Sequence, residues 1–145
     1  MKELIAYGVD KDGKEIEFKV NENKYLNCSY SDLKELIVPK GVIELHCQGN
    51  HLTKLILPEG VEFVLCYKNQ LTELILPEGI KSVCCTHNNI TELELPESLR
   101  RLSCEYNNIT RLDPSIKLRT LFCDKHIEVL EGIIGEIEVF MGCLP

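Results

Sequence analysis

Residues 45–60 read LHCQGNHLTKLILPEG and residues 64–79 read VLCYKNQLTELILPEG, so the pattern that starts at Leu45 starts again at Val64. The same spacing of 19 residues, here called the repeat interval, separates six cysteines. These are called the ladder cysteines: Cys28, Cys47, Cys66, Cys85, Cys104 and Cys123. Four of them are followed three positions later by an asparagine: Asn50, Asn69, Asn88 and Asn107. Self-similarity at a fixed short period is the signature of a solenoid. The sequence therefore predicts a chain wound into stacked coils, one coil for each repeat interval.

Each coil is predicted to hold one short strand and an extended return segment. Leu45 and Cys47 are separated by one residue, so on a strand both point toward the core. The asparagine falls where the chain leaves the strand, and its amide can bond backbone groups that lack partners there. About twelve residues remain for the return, which suits extended or polyproline-like chain with single 3₁₀ turns. The predicted fold class is a β-rich solenoid with a parallel sheet.

The start of the chain departs from the repeat and is predicted to form a cap. Residues 3–7 and 15–20 are typical of two strands, the second alternating polar and apolar residues. Gly13 lies in the turn sequence between them and can adopt a positive φ. Residues 1–25 are therefore predicted to form a β-hairpin that covers the open end of the core.

The end of the chain also departs from the pattern. The repeats are predicted to occupy residues 26–125, and residues 126–145 are predicted to form a C-terminal cap. One further strand is expected at 135–142, because Phe140 follows Leu121 by one repeat interval. Such a strand would leave an unpaired edge, to which another strand can bind.

Composition and charge exclude several classes of function. The chain has 145 residues, of which 44% are hydrophobic and 27% charged, as is usual for one globular domain. Its apolar runs are too short to cross a bilayer, and its start is unlike a secretory signal. The net charge of −7 argues against nucleic-acid binding, which depends on Lys and Arg at the phosphates. Neither a membrane nor a nucleic acid is predicted as a partner.

Six of the eight cysteines, the ladder cysteines, are predicted to be packing residues, whereas Cys84 points outward and Cys143 lies outside the register. Zinc sites and disulfide frameworks use paired or irregular spacings, whereas this chain has no Cys-x-x-Cys pair. A cysteine at one place in every coil fits a small apolar core residue. Many reduced thiols favour the cytoplasm or another reducing compartment. No metal and no cofactor is predicted.

The unit Cys-x-x-Asn-x-Leu-Thr-x-Leu-x-Leu-Pro-x-Gly resembles the leucine-rich repeat family over residues 26–125. The cysteine at the last inward strand position is similar to that of short internalin-like bacterial repeats. Residues 57–60 and 95–102 are similar to the Leu-Pro repeats of bacterial effectors, although this chain has one proline per unit where those repeats have two. The resemblance implies a curved recognition scaffold, whose concave face is the outer side of the sheet, and no enzyme. Delivery into a host cell is a further implication.

The repeat also identifies the residues that point outward. Phe63, Leu65 and Tyr67 alternate with inward positions and form an apolar stripe. Exposed apolar clusters with polar rims often bind partners, although these side chains can also cover one another across strands. The predicted partner-binding residues are Tyr30, His46, Phe63, Leu65, Tyr67, Lys68, Cys84, His87, Arg101, Tyr106 and Phe122.

A basic strip is predicted beside this surface. The repeat interval separates Lys81, Arg100 and Arg119 from one another, and Arg101 is next to one of them. Stacked coils would place these charges about 4.8 Å apart. The strip is predicted to recognise an acidic segment or a carboxylate. The alternative is a solvated edge that nearby glutamates balance.

Catalytic candidates are few. Cys84 precedes His87 by three positions, as a nucleophile and a base would, but no third group orients them. His46 and His87 are two strands apart, too far for one metal ion. We therefore predict a non-catalytic protein-binding module, with a bacterial effector and a phage-encoded inhibitor as candidate settings. Two alternatives stay open: a self-assembling, homo-oligomeric scaffold, and a thiol enzyme that uses Cys84.

Overall fold

A computed structural model of the chain describes residues 2–113, 118–129 and 138–141. These residues form a β-solenoid without a helix, which confirms the predicted β-rich solenoid and its parallel sheet. The strands are β1 (Ile5–Asp10), β2 (Glu15–Lys19), β3 (Tyr25–Asn27), β4 (Leu33–Ile37), β5 (Glu44–His46), β6 (Phe63–Leu65), β7 (Ser82–Cys84), β8 (Arg101–Ser103), β9 (Arg111–Leu112), β10 (Thr120–Cys123), β11 (Glu128–Val129) and β12 (Glu138–Met141).

The main element is a seven-stranded parallel sheet in the order β3-β5-β6-β7-β8-β10-β12. Its central inward column is buried and consists of Leu26, Leu45, Val64, Val83, Leu102 and Leu121. The ladder cysteines are buried directly after it. Each cysteine therefore packs as the predicted small core residue, one per coil.

The return segments close the core from the other side. In the Cys47 coil, Leu52, Leu55 and Leu57 are buried against the sheet. The chain then turns at proline: the N–H of Val61 donates to the Pro58 carbonyl at 3.4 Å. The turns at Pro77 and Pro96 repeat this bond. The convex side is therefore extended chain with single turns, and its described part contains no 3₁₀ helix.

The asparagines bond the backbone of two adjacent coils, as predicted. The Asn88 amide nitrogen donates to the carbonyl oxygens of Cys85, in its own coil, and Cys66, in the preceding one, at 3.0 and 3.1 Å. Its side-chain oxygen accepts from the Leu71 N–H at 3.0 Å. Asn50, Asn69 and Asn107 make the same set of bonds. These side chains are buried, so they satisfy groups that water cannot reach.

The N-terminal hairpin exists, and it has a third strand that the sequence did not predict. β1 pairs antiparallel with β2, and Gly13 has a φ of 87° in the turn between them. On its other side β1 pairs with β4, the return segment of the first coil. Gly8 permits this contact, because a Cβ there would lie 2.8 Å from the Leu33 side chain. The cap is thus continuous with the solenoid.

The C-terminal strand is present with a different register from the predicted one. β12 pairs with β10 so that Leu121 lies opposite Val139 and Phe122 opposite Phe140. The prediction that Phe140 matches Leu121 was wrong by one position, because the final coil is one residue shorter than the others. The rest of residues 135–142, and Cys143, lie outside the described residues.

The Asn88→Ala variant tests the asparagine bonds, with Asn89→Ala as its matched control. Asn88→Ala leaves the buried Leu71 N–H without its acceptor. It also removes one of the two amide donors from each of the Cys66 and Cys85 carbonyls, which keep their bonds to Asn69 and Asn107. We therefore expect the free energy of unfolding to fall by about 1–3 kcal/mol. Asn89 is exposed, and its substitution should change that free energy by less than about 0.5 kcal/mol. Urea unfolding measures both. Equal losses for the two variants would contradict the proposed role.

Candidate functional site

The outward residues of the seven-stranded sheet form one continuous surface, here called the sheet face. Register pairs join its central column from strand to strand: Asn27, His46, Leu65, Cys84, Ser103 and Phe122. Adjacent strands lie about 4.8 Å apart, so the seven strands span about 29 Å. The predicted outward residues therefore occupy a single surface of the described structure.

The predicted apolar stripe lies at the centre of the sheet face and is only partly open. Phe63, at the start of β6, is 40% exposed, whereas Leu65 and Tyr67 are half-buried. Tyr67 lies beyond the end of β6, and its hydroxyl is 3.5 Å from that of Tyr30. This contact raises the pKa of the Tyr67 hydroxyl. Mutual covering thus accounts for part of the stripe, and Phe63 is its open part.

A column of residues with positive φ lines the sheet face where the strands end. It comprises Tyr30, Gly49, Lys68, His87 and Tyr106, with φ values between 51° and 68°. Their N–H groups continue the bonding between coils, as when Lys68 donates to the Thr86 carbonyl at 3.0 Å. Left-handed backbone costs a residue with a Cβ about 1–2 kcal/mol. The sequence contains little sign of this column, since only one of its five members is glycine.

Two aromatic contacts fix the predicted histidines. The His46 ring meets the Tyr25 ring edge-on with centroids 4.8 Å apart, and its nitrogens contact the Tyr25 hydroxyl at 3.1 Å and the Glu44 carboxylate at 2.8 Å. The His87 ring stacks on Tyr106 with centroids 4.2 Å apart. Both imidazoles are therefore held in place by their neighbours.

The sheet face also holds two buried acceptors that the sequence did not reveal. The side-chain oxygen Oε1 of Gln48 and the carboxylate oxygen Oε2 of Glu105 have no hydrogen-bond partner among the described residues. Both residues belong to the column that follows the ladder cysteines. A buried polar atom without a partner costs about 1–3 kcal/mol of folding free energy. These two atoms therefore lower the stability of the isolated protein.

The predicted basic strip is assembled at the side of the sheet face. Backbone bonds join Lys81 to Arg100 at 2.9 Å and Arg100 to Arg119 at 2.7 Å, so the three residues stand on adjacent coils. Together with Arg101 and Phe63 they line a cleft of about 630 Å³, here called the basic cleft. Lys81 pairs with Glu62 at 2.7 Å, at one end of the strip.

The described thiols are buried or half-buried in the coils. Burial raises the pKa of every ladder cysteine, to about 12 at Cys28 and about 11 at Cys123. Burial also raises the pKa of Cys84, whose sulfur lies 3.9 Å from the Thr86 hydroxyl, while His87 stacks on Tyr106. The described cysteines are free thiols, and the described residues contain no cluster of His, Cys, Asp and Glu suited to a metal ion.

A second exposed apolar feature lies on the opposite side of the coils. Ile37, Ile56 and Ile75 are 68%, 68% and 79% exposed, and successive members are separated by the repeat interval. The sequence signal was the Leu-Ile-Leu alternation at 55–57 and 74–76, in which the middle residue faces outward. The predicted outward residues all belong to the strand side, so they did not include these three residues, here called the isoleucine ridge.

No protein-family model, curated protein or solved structure matches this chain. Over the described ranges, no helix has the length and apolar character needed to cross a membrane. The function must therefore be inferred from the surfaces of the solenoid itself.

The Lys68→Gly variant tests the strain in the left-handed column, with Lys54→Gly as its control. Lys68 has a φ of 55°, whereas the φ of Lys54 is not positive. Both side chains are exposed. Glycine relieves the strain only at position 68, so the free energy of unfolding should be about 1 kcal/mol higher for Lys68→Gly than for Lys54→Gly. Thermal or urea unfolding measures the difference. Indistinguishable variants would contradict it.

Alkaline pH should unfold the protein through its buried thiols. Because burial raises the folded-state pKa of the ladder cysteines, the unfolded chain loses protons first, above about pH 8.5. The contribution of these thiols to stability is therefore complete below that pH. It is lost as the pH rises toward about 11, the pKa of Cys123. Each such thiol contributes a slope of about 1.4 kcal/mol per pH unit.

The Cys66→Ala variant isolates this effect. It should lose stability at neutral pH through the small cavity, yet its free energy of unfolding should fall less steeply above about pH 9, by about 1.4 kcal/mol per pH unit. Urea unfolding at several pH values under reducing conditions measures both slopes. Parallel curves for the two proteins would show that Cys66 does not titrate on unfolding.

Proposed function

We propose that this chain is a non-catalytic protein-binding module of leucine-rich repeat type that holds a protein partner on the sheet face. The observation that carries the proposal is Phe63, an aromatic side chain that is 40% exposed at the centre of this surface. Leu65 and Cys84 lie beside each other next to it. Exposed aromatic residues with polar surroundings are the usual anchors of protein interfaces.

The rigidity of the sheet face supports this role. Register pairs and the left-handed column fix its backbone before any partner arrives, and aromatic contacts hold the rings of His46 and His87. A preorganised surface loses little conformational entropy on binding. Its length of about 29 Å accommodates about eight residues of an extended segment. The unsatisfied acceptors at Gln48 and Glu105 add a local cost in the free protein, which a donor from a partner would offset after a small rearrangement.

The cellular setting is part of the same proposal. Seven described cysteines are free thiols, and six of them are buried in the core. A reducing compartment such as the cytoplasm preserves thiols. A bacterial effector that enters a host cell, or a phage-encoded inhibitor, would act in such a compartment. The partner would then be a cytoplasmic protein.

Affinity capture with matched variants tests the sheet face. The triple variant Phe63→Ala, Leu65→Ala and Tyr67→Ala removes the apolar centre, so a partner held there should bind at least about tenfold more weakly. Ile75→Ala is the control, because Ile75 is 79% exposed on the opposite side. Mass spectrometry identifies the captured proteins, and titration of the purified partner measures the affinities.

A partner that binds wild type and Ile75→Ala alike, and is lost by the triple variant, supports the proposal. Equal binding by the triple variant, or loss of binding only in Ile75→Ala, would place the interface elsewhere. Thermal unfolding of the variants excludes a folding defect as the cause.

Self-association is the second candidate function, and the position of β12 favours it. β12 is the terminal strand of the seven-stranded sheet over the described residues. A terminal strand presents unpaired backbone groups to another copy of the chain. Light scattering across a range of protein concentrations tests this candidate: a molar mass that rises with concentration supports it, and a constant monomer mass excludes it.

A further inference from the structure

The basic cleft concentrates positive charge on an acidic protein. Four cationic side chains and one carboxylate line it: Lys81, Arg100, Arg101, Arg119 and Glu62. The cleft thus carries a net charge of three positive units, while the whole chain carries −7. A local field of this sign attracts an anionic ligand and repels a cationic one.

This clustering is unfavourable for the fold alone. Lys81, Arg100 and Arg119 stand on adjacent coils, directly before β7, β8 and β10, and like charges on adjacent coils repel one another. Glu62 pairs with Lys81 only, at 2.7 Å. Neither Arg101 nor Arg119 has an ion pair with a described carboxylate. An anion in the cleft would relieve this repulsion.

One arginine of the cleft, Arg100, is held in place by backbone carbonyls. One terminal nitrogen of Arg100 donates to the carbonyl oxygens of Glu97 and Leu99, at 2.6 and 2.9 Å. The Ser98 hydroxyl accepts from the Gly79 N–H at 2.9 Å and donates to the Ile80 carbonyl at 2.7 Å. Among the described residues no further acceptor bonds the Arg100 guanidinium, so its remaining N–H groups can donate to a ligand. A fixed, planar guanidinium suits the two oxygens of a carboxylate.

Phe63 gives the cleft an apolar wall. Its ring lines the same cavity as the arginines and is 40% exposed. Ser82 separates it from Arg101 in the register, since Phe63 pairs with Ser82 and Ser82 with Arg101. The basic cleft therefore combines arginines that can bind a carboxylate with an apolar side chain, Phe63, that can contact an apolar group.

We propose that the basic cleft binds an acidic segment of the partner protein, in which carboxylates stand next to an aliphatic or aromatic side chain. The arginines bind the carboxylates, and Phe63 covers the apolar side chain. This inference rests on the proposed function, because the cleft shares Phe63 with the sheet face. The net charge of −7 over the whole chain favours a local acidic peptide over a nucleic acid, which presents phosphates along its whole length.

A fluorescent peptide of about twelve residues that repeats Glu-Glu-Leu, longer than the sheet face, is the test ligand. Its counterpart replaces every Glu by Gln and keeps the leucines. Fluorescence anisotropy with the full chain should show binding of the Glu peptide about tenfold or more tighter than that of the Gln peptide. The difference should shrink as salt rises from about 50 mM to about 500 mM.

Two variants of equal charge change locate the site. Arg100→Gln, Arg101→Gln and Arg119→Gln together should remove the preference for the Glu peptide. Lys14→Gln, Lys34→Gln and Lys54→Gln together lower the charge equally at exposed positions outside the cleft, and should keep it. Removing stacked like charges should leave the thermal midpoint unchanged or raise it, which shows that the cleft variant is folded. Phe63→Ala should weaken both peptides by a similar factor.

Equal binding of the two peptides, absence of binding to either up to about 1 mM, or a preference that survives in the cleft variant would each overturn the inference. Tighter binding of a single-stranded oligonucleotide, lost in the cleft variant, would overturn it in favour of a nucleic acid. The proposed function is decided separately by partner capture. A partner lost by the variant at Phe63, Leu65 and Tyr67 and kept by the cleft variant would leave that function standing while this inference fails.

Discussion

The fold depends on what happens to the backbone carbonyls at the end of each strand. A strand of three residues satisfies few of its own groups, and the chain then turns within a buried interior. The asparagine amide bonds the carbonyls of two successive ladder cysteines, as Asn69 does with Cys47 and Cys66. Such a bridge works only if consecutive coils have equal length. The constant spacing of Asn and Cys is therefore a geometric requirement of the stack, and the leucine positions follow from it.

This requirement explains how much of the structure the sequence reveals. Leu45, Cys47 and Asn50 meet the same surroundings in every coil, so their periodicity predicts the sheet, the buried ladder and the amide bonds. Features that occur once leave no such signal. The pairing of β1 with β4 joins segments that lie far apart in sequence, and it depends on the space that Gly8 leaves for Leu33. The register of β12 depends on the shorter length of one coil, so the regular spacing predicted it wrongly.

In the candidate site, too, the sequence predicts the periodic features and misses those that occur once. The outward columns and the basic strip follow from the period, because any residue one position from an inward residue must face outward. What the side chains do there depends on neighbours from three coils, which the spacing does not encode. His46 was predicted as a binding residue, yet its ring is engaged by Tyr25 and Glu44. Tyr67 was predicted as a partner-binding residue, and its hydroxyl lies 3.5 Å from that of Tyr30. Phe63 keeps its exposure because its register neighbours, Glu44 and Ser82, lack rings to stack on it.

Charge is distributed differently on the two flanks of the sheet face. The return side carries the isoleucine ridge of Ile37, Ile56 and Ile75, and at the same position the next coils have Glu94 and Asp113. The opposite flank has Lys81 in the coil of Ile75, and Arg100 and Arg119 in the two coils that follow. One flank therefore becomes basic one coil before the other becomes acidic. A partner with an acidic segment is drawn to one flank and repelled from the other. Phe63 lies beside the basic flank, so steering by charge and anchoring by an apolar contact act at the same place.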